Sequence, residues 1–363
     1  VRKRYLDNIR WITQVFVVLY HVFYMYNGEG VQGGLGKITG LPVQHYDIVL
    51  YAVYPWLMMV LFIVSGIASR LYLERHADKE FFRSRTTKLL VPVTIGLFVF
   101  QFLQGYVSMA LGDAFASLQQ LPPVAKYLIM CLSGIGVLWY LQILWVFSVL
   151  LLLVRKIEKD RLWRLGARTN IVALLALGAV VWASAQVLNT PVIIVYRFGL
   201  YGVLFFLGYF VFSHDEVMAA VKKYFPLFLL LAAGLGVAFC VLYFGQNFAA
   251  EPVNKSPLFV LYGWFASIAI LGGMARHADF ENGFTRWMSK RSWGLYIFHY
   301  LGISSVALFL AKPRLLPAPA VYVLSSLAGF VAGYLLQAII ARLPFFRWAV
   351  LGIKKPQAAK ASA

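Results

Sequence analysis

Apolar residues run along this chain in long blocks, and the polar residues gather in short intervals between them. Ten such blocks can be marked, at roughly 10–28, 47–69, 88–112, 135–154, 170–188, 193–213, 225–244, 257–275, 292–311 and 320–341. Each approaches the ~20 residues that a helix rising 1.5 Å per residue needs to cross ~30 Å of hydrocarbon. The pattern therefore predicts an all-α protein, a polytopic membrane bundle of about ten transmembrane helices. The fifth and sixth blocks are divided only by the turn residues Asn189-Thr190-Pro191. The stretch 120–133 reads as a re-entrant or interfacial piece. Pro55 and Pro92 fall in or near the second and third blocks and would free backbone carbonyls beside a cavity. Gly329 and Gly333 in the tenth would let two helices pack closely.

Composition supports a lipid-solvated bundle. Hydrophobic residues are 61% of the chain and charged residues 13%, where a soluble domain carries about 25% charge. The net charge of +19 suggests nucleic acid only until its distribution is considered, because the cations lie in short clusters between apolar blocks. With ten spans and a cytoplasmic N-terminus, 27 basic residues fall on the inside and six on the outside, accounting for all 33. This is the bias of a membrane protein with both termini cytoplasmic. The reading excludes a nucleic-acid partner and makes membrane lipid the surroundings. The sequence predicts one transmembrane domain over residues 1–352 and a disordered basic cytoplasmic tail over 353–363. The first block is too long for a signal peptide and lacks a small-residue cleavage site. Cys131 and Cys240 have neither metal-site nor redox spacing, and no metal is expected.

Ionisable groups inside a bilayer are costly and are functional candidates by default. Arg10 and His21 are eleven residues apart on the first span, about three turns and ~16 Å of rise, so they share a helix face. Arg10 would hold an anion at the cytoplasmic mouth while His21 moves a proton near the midplane. The plainer alternative is a snorkelling arginine and a packed histidine. His299 lies at a similar depth in the ninth span, where Ser292 is expected to cap the helix start. Arg197 in the outer part of the sixth span would bind an anionic acceptor, pair with Asp47 or Glu251, or simply snorkel. The loop Phe81 to Pro92 holds the richest basic cluster, with Arg83, Arg85 and Lys88 suited to a phosphate-bearing ligand or serving as an ordinary positive-inside anchor.

Five short motifs then resemble one family. They are Leu6-Asp7-Asn8-Ile9-Arg10 followed by His21; Phe62-Ile63-Val64-Ser65-Gly66; Phe81 and Arg85-x-x-Lys88-Leu89-x-x-Pro92; Leu138-Trp139-Tyr140-Leu141; and Ser292, Tyr296 and His299. In that order the chain resembles the acyltransferase-3 family of multi-spanning membrane O-acyltransferases. The resemblance implies an acyl-CoA donor, acetyl-CoA or succinyl-CoA, taken from the cytoplasm. It also implies a hydroxyl acceptor on an extracytoplasmic or lipid-linked glycan, and a bacterial inner membrane as location. The family's Arg and His carry over to Arg10 and His21, and its paired arginines to Arg85 and Lys88, where lysine keeps the charge but loses the bidentate fork. The segment from Leu343 to Gly352 is similar to the glucan-modifying, succinyltransferase-like branch. On this reading His21 is the general base, with His299 or Tyr296 orienting it or stabilising the oxyanion. Trp139, Gln142, Ser65 and Arg197 would meet substrate, and a homo-oligomer is compatible. A secondary transporter or flippase of a small anionic or lipid-linked substrate is the competing class.

Overall fold

Each apolar block contains helix in the computed structural model, which describes residues 3–27, 43–190 and 195–354. Thirteen helices, two of them joined as a bent pair, carry the architecture among the described residues. They are α1 (Arg4–Tyr26), α2 (Ile48–Leu73), α3 (Asp78–Leu111), α4 (Pro123–Ser133), α5 (Gly136–Glu158), α6 (Ile171–Ser184), α7 (Phe198–Phe210), α8 (Asp215–Lys223), α9 (Phe225–Tyr243), α10 (Pro257–His277), α11 (Gly283–Ala311), α12 (Ala318–Ile340) and α13 (Pro344–Leu351). No strand occurs among the described residues.

Seven helices are long and apolar enough to cross a membrane: α2, α3, α5, α9, α10, α11 and α12. The pair α7 and α8, bent by 108°, would bring the number to eight. The expectation of ten differs at three places. α1 has 23 residues but carries Arg4, Asp7, Arg10 and a polar run through Gln14. α6 has 14 residues, ~21 Å of rise against ~30 Å of hydrocarbon. α7 has 13 and turns away instead of continuing. Residues 28, 191–194 and 355–363, which complete the first and sixth blocks, the turn at Pro191 and the basic tail, lie outside the described residues.

Side-chain contacts assign most described loops to two ends. Lys3 pairs with Asp215 at 2.8 Å, Arg4 with Glu281, Arg70 with Asp160 at 2.7 Å and Arg155 with Asp78 at 2.5 Å. These join the start of α1 to the basic loops after α2, α5, α7 and α10. At the opposite end, Tyr322 donates to Asp47 at 2.8 Å, and Lys312 pairs with Asp113 at 2.7 Å.

Close backbone approach fixes the crossings. A Cβ at Gly66 on α2 would lie 2.0 Å from the Phe205 carbonyl of α7, and one at Gly208 on α7 would lie 2.2 Å from that of Ile63. Only glycine permits this crossing, so the Ser65-Gly66 motif has a packing reason for its second residue. Gly333 does the same for α12 on α11, where a Cβ would sit 2.8 Å from Leu295 Cα. α4 is the short piece expected at 120–133, and it packs on α3.

α3 is wound with a wider i→i+5 turn at Thr86–Leu90 and Leu97–Gln101, on either side of a break at Thr94. Pro92 cannot donate to the regular ladder, and such wide turns collect at functional sites. The first of them holds Lys88 and immediately follows Arg85.

Candidate functional site

α1 presents Asp7, Arg10 and Gln14, at i, i+3 and i+7, to a cavity of about 660 Å³. α2 contributes Ser65 and Tyr72, α3 contributes Arg85 and Lys88, α5 contributes Tyr140, and α11 contributes Lys290, Ser292, Trp293 and Tyr296. Four cations, Arg10, Arg85, Lys88 and Lys290, face it, and Asp7 is the one acid among its lining residues. Asp7 holds Arg10 Nη1 at 3.2 Å. The excess is positive, in a site walled by apolar side chains that concentrate its field.

Arg85 is fixed from two sides. Its Nη2 donates to Ser69 Oγ at 3.1 Å, and its guanidinium lies 4.9 Å from the centre of the Phe81 ring. Ser69 donates in turn to the Ser65 carbonyl at 2.8 Å, and Ser65 Oγ meets the Tyr140 hydroxyl at 2.8 Å. Lys88 is exposed. Gln14 Oε1 is buried without a hydrogen-bond partner among the described residues, so a polar acceptor on the cavity wall is unsatisfied.

His21 and His299 touch. His299 Nε2 lies 3.1 Å from His21 Nδ1. His299 Nδ1 reaches the carbonyls of Leu295 and Tyr296 at 2.8 and 2.9 Å, and His21 Nδ1 reaches that of Val17 at 2.8 Å. A carbonyl only accepts, so each Nδ1 carries a proton, and His299 Nε2 is the acceptor between the rings. With both rings neutral, the tautomer assigned from these partners leaves His21 Nε2 as a bare lone pair. His299 is fully buried, and His21 keeps part of its surface accessible. Tyr20, Tyr24 and Tyr300 surround His21 with ring centroids 5.0–6.1 Å away.

The pair does not line the cavity itself. Gln14 and Tyr296 do, and His21 and His299 follow them by seven and three residues on the same two helices, ~10 and ~5 Å of rise.

The structure brings Arg10, Arg85, Lys88 and Ser65 to one cavity and puts His21 and His299 in contact beyond it, while the other expected residues lie as follows. Arg83 is exposed on the same helix and does not line the cavity. Ser292 does not cap α11, which begins nine residues earlier with Asn282 as cap; its hydroxyl donates to the Ser289 carbonyl at 3.1 Å. Tyr296 lines the cavity, but its hydroxyl donates to the Val137 carbonyl and not to His21. Arg197 neither snorkels nor meets an acid: it is 2% exposed, and its Nη2 donates to the Asn254 carbonyl at 2.6 Å. Asp47 accepts from Tyr322, and Glu251 pairs with Lys255. Trp139 packs on Tyr196 and Tyr201, and Gln142 accepts from the Tyr196 hydroxyl, so both belong to an aromatic cluster and neither lines the cavity. Ile353, assigned to the tail, lines the cavity beside Leu351, whose carbonyl accepts from Trp293 Nε1 at 2.9 Å.

A model of the acyltransferase-3 family, described as an acyltransferase domain, matches residues 3–339. The chain belongs to the acyltransferase-3 family. It is thus a multi-pass membrane acyltransferase, and its Arg10, His21, Arg85, Lys88 and His299 all fall within the matched region. No curated protein and no solved structure matches the chain.

Sequence reasoning missed Gln14, Ser69, Tyr140, Trp293 and the α13 end. Gln14 and Ser69 had a signal, each lying four residues after a suspected site residue on the same helix face. The return of α13 to the cavity had none.

Proposed function

We propose that this acyltransferase moves an acetyl or succinyl group from cytoplasmic acyl-CoA to a hydroxyl of an extracytoplasmic or lipid-linked glycan, with His21 as general base. The observation that carries the reading is the stacking of two features on α1 and α11: a cationic cavity at the basic end and, about two turns further on, the paired imidazoles. The phosphates of coenzyme A meet Arg10, Arg85 and Lys88. The pantetheine arm extends along α1, over a rise of ~16 Å from Arg10 to His21, and brings the thioester to the histidine pair. His21 Nε2 removes the proton of the acceptor hydroxyl as its oxygen attacks the thioester carbonyl, and the tetrahedral intermediate expels the coenzyme A thiolate. His299 is a positioning residue: it accepts from His21 Nδ1 and so holds the lone pair on Nε2. Both termini lie on the cytoplasmic side of a bacterial inner membrane in this reading, because the basic loops share one end.

The test uses purified full-length protein in lipid nanodiscs with acetyl-CoA or succinyl-CoA labelled in the acyl group. Label should pass to a glycan hydroxyl with wild type and not with His21→Ala. Equal transfer by both would remove His21 from the reaction. Movement of a glycan or lipid across the bilayer without donor would favour a transporter.

A further inference from the structure

We propose that a groove on the back of α1 holds one acyl chain of an anionic membrane phospholipid. The groove, about 580 Å³, runs between α1, α9 and α10 and shares no lining residue with the cationic cavity. α1 turns Ile9, Thr13 and Phe16 toward it and Asp7, Arg10 and Gln14 the other way, so the helix carrying His21 stands between the two. Its wall is apolar and locally narrow in side chain: Ala232, Ala266, Ala269 and Gly273 leave room that larger residues would fill. Along α10 the lining runs from His277 to Tyr262, fifteen residues or ~22 Å of rise, within a ~30 Å hydrocarbon core. A slot of that length accommodates one acyl chain. Phe16, Leu229 and Ala233 on its rim are exposed, so a lipid chain enters from the side.

Charge selects the head. The groove reaches His277 at the basic end, where the Phe225 ring, two residues after Lys223, packs 6.0 Å from the His277 ring. Arg276, Lys222 and Lys223 are exposed, and none of the three is in a salt bridge among the described residues. Of the nearby acids, Asp215 meets Lys3, Asp279 accepts from the Tyr5 amide at 2.9 Å and Glu281 pairs with Arg4 and Arg286, while Glu216 is exposed at the far end of α8 from Lys222 and Lys223. Exposed lysine and arginine side chains next in sequence to the residues at the basic end of an apolar slot complement a phosphate head with a hydrocarbon tail.

Native mass spectrometry of the detergent-purified protein, incubated with dioleoyl phosphatidylglycerol or dioleoyl phosphatidylcholine, tests this. Wild type should retain one phosphatidylglycerol, and phosphatidylcholine about tenfold less well, a difference of ~1.4 kcal/mol. Ala233→Trp should lower phosphatidylglycerol retention about tenfold. Ala233→Leu, a smaller change at an exposed position, should lower it less and serves if the tryptophan variant does not elute as a single species. Lys223→Gln with Arg276→Gln should abolish the preference between the two lipids. Equal retention of both lipids by wild type, or unchanged retention by both Ala233 variants, overturns the proposal. So does disulfide cross-linking of Leu229→Cys between two copies, which would make the groove a dimer interface. Lipid retention is read without turnover, so its outcome is independent of the transferase reaction.

Discussion

His21 and His299 sit 278 positions apart in sequence and share one proton between their rings. A histidine base works only in the right tautomer, and here the choice is made by main-chain carbonyls one helical turn back from each ring. Replacing His21 with alanine should reduce transfer by about 100-fold or more, measured as kcat with labelled donor. His299→Gln, which offers an oxygen where Nε2 accepts, should retain more of kcat than His299→Ala, with the donor KM little changed in both. Equal losses in the two variants would mean that His299 only packs. At the cavity, Arg85→Ala and Lys88→Ala should raise the donor KM several-fold, while Arg83→Ala should leave it unaltered because that side chain lies off the lining. The cluster Phe81 to Pro92 reads from sequence as a pair, Arg85 and Lys88, three residues apart, with Arg83 added as a third candidate. Helix winding after Arg85 decides which of them face inward.

Helices in lipid lack a hydrophobic drive toward one another, so their crossings depend on how closely backbones approach. Gly66 on α2 and Gly208 on α7 meet at such a crossing, within a turn of Ser65 and Ser69. Gly66→Ala should destabilise the fold by about 1–3 kcal/mol, since the new methyl would meet the Phe205 carbonyl. Gly234→Ala on α9, where nothing lies within 4 Å, should be tolerated. Thermal unfolding followed by the monodisperse fraction in detergent compares the two. The Gly329 and Gly333 pair was legible as a close-packing stripe in the tenth apolar block, and α12 does lie against α11 there. The glycine pair at the α2 and α7 crossing was not, because its two members belong to separate helices.

Across the whole molecule, charge and contact tell the same story of two ends. The described loops rich in lysine and arginine gather at the end where α1 starts, and the loops joined to Asp47 and Lys312 lie at the other. Single cysteines at Arg164 and Arg314, in a background lacking Cys131 and Cys240, should label from opposite faces of sealed vesicles with a membrane-impermeant thiol reagent. Labelling from the same face would break the proposed orientation.

Sequence alone determined that this chain is a helical membrane bundle and which of its polar residues stand out, because lipid forbids unsatisfied backbone and makes each buried charge conspicuous. It also showed that Arg10 and His21 share a face, a consequence of 3.6 residues per turn. Only the tertiary structure decided that His299 meets His21, that Tyr296 is engaged by Val137, that Arg197 is buried against the Asn254 carbonyl and that the α13 end returns to the cavity. Those are contacts between helices distant in the chain, and they depend on crossing geometry and side-chain direction, which local periodicity does not encode.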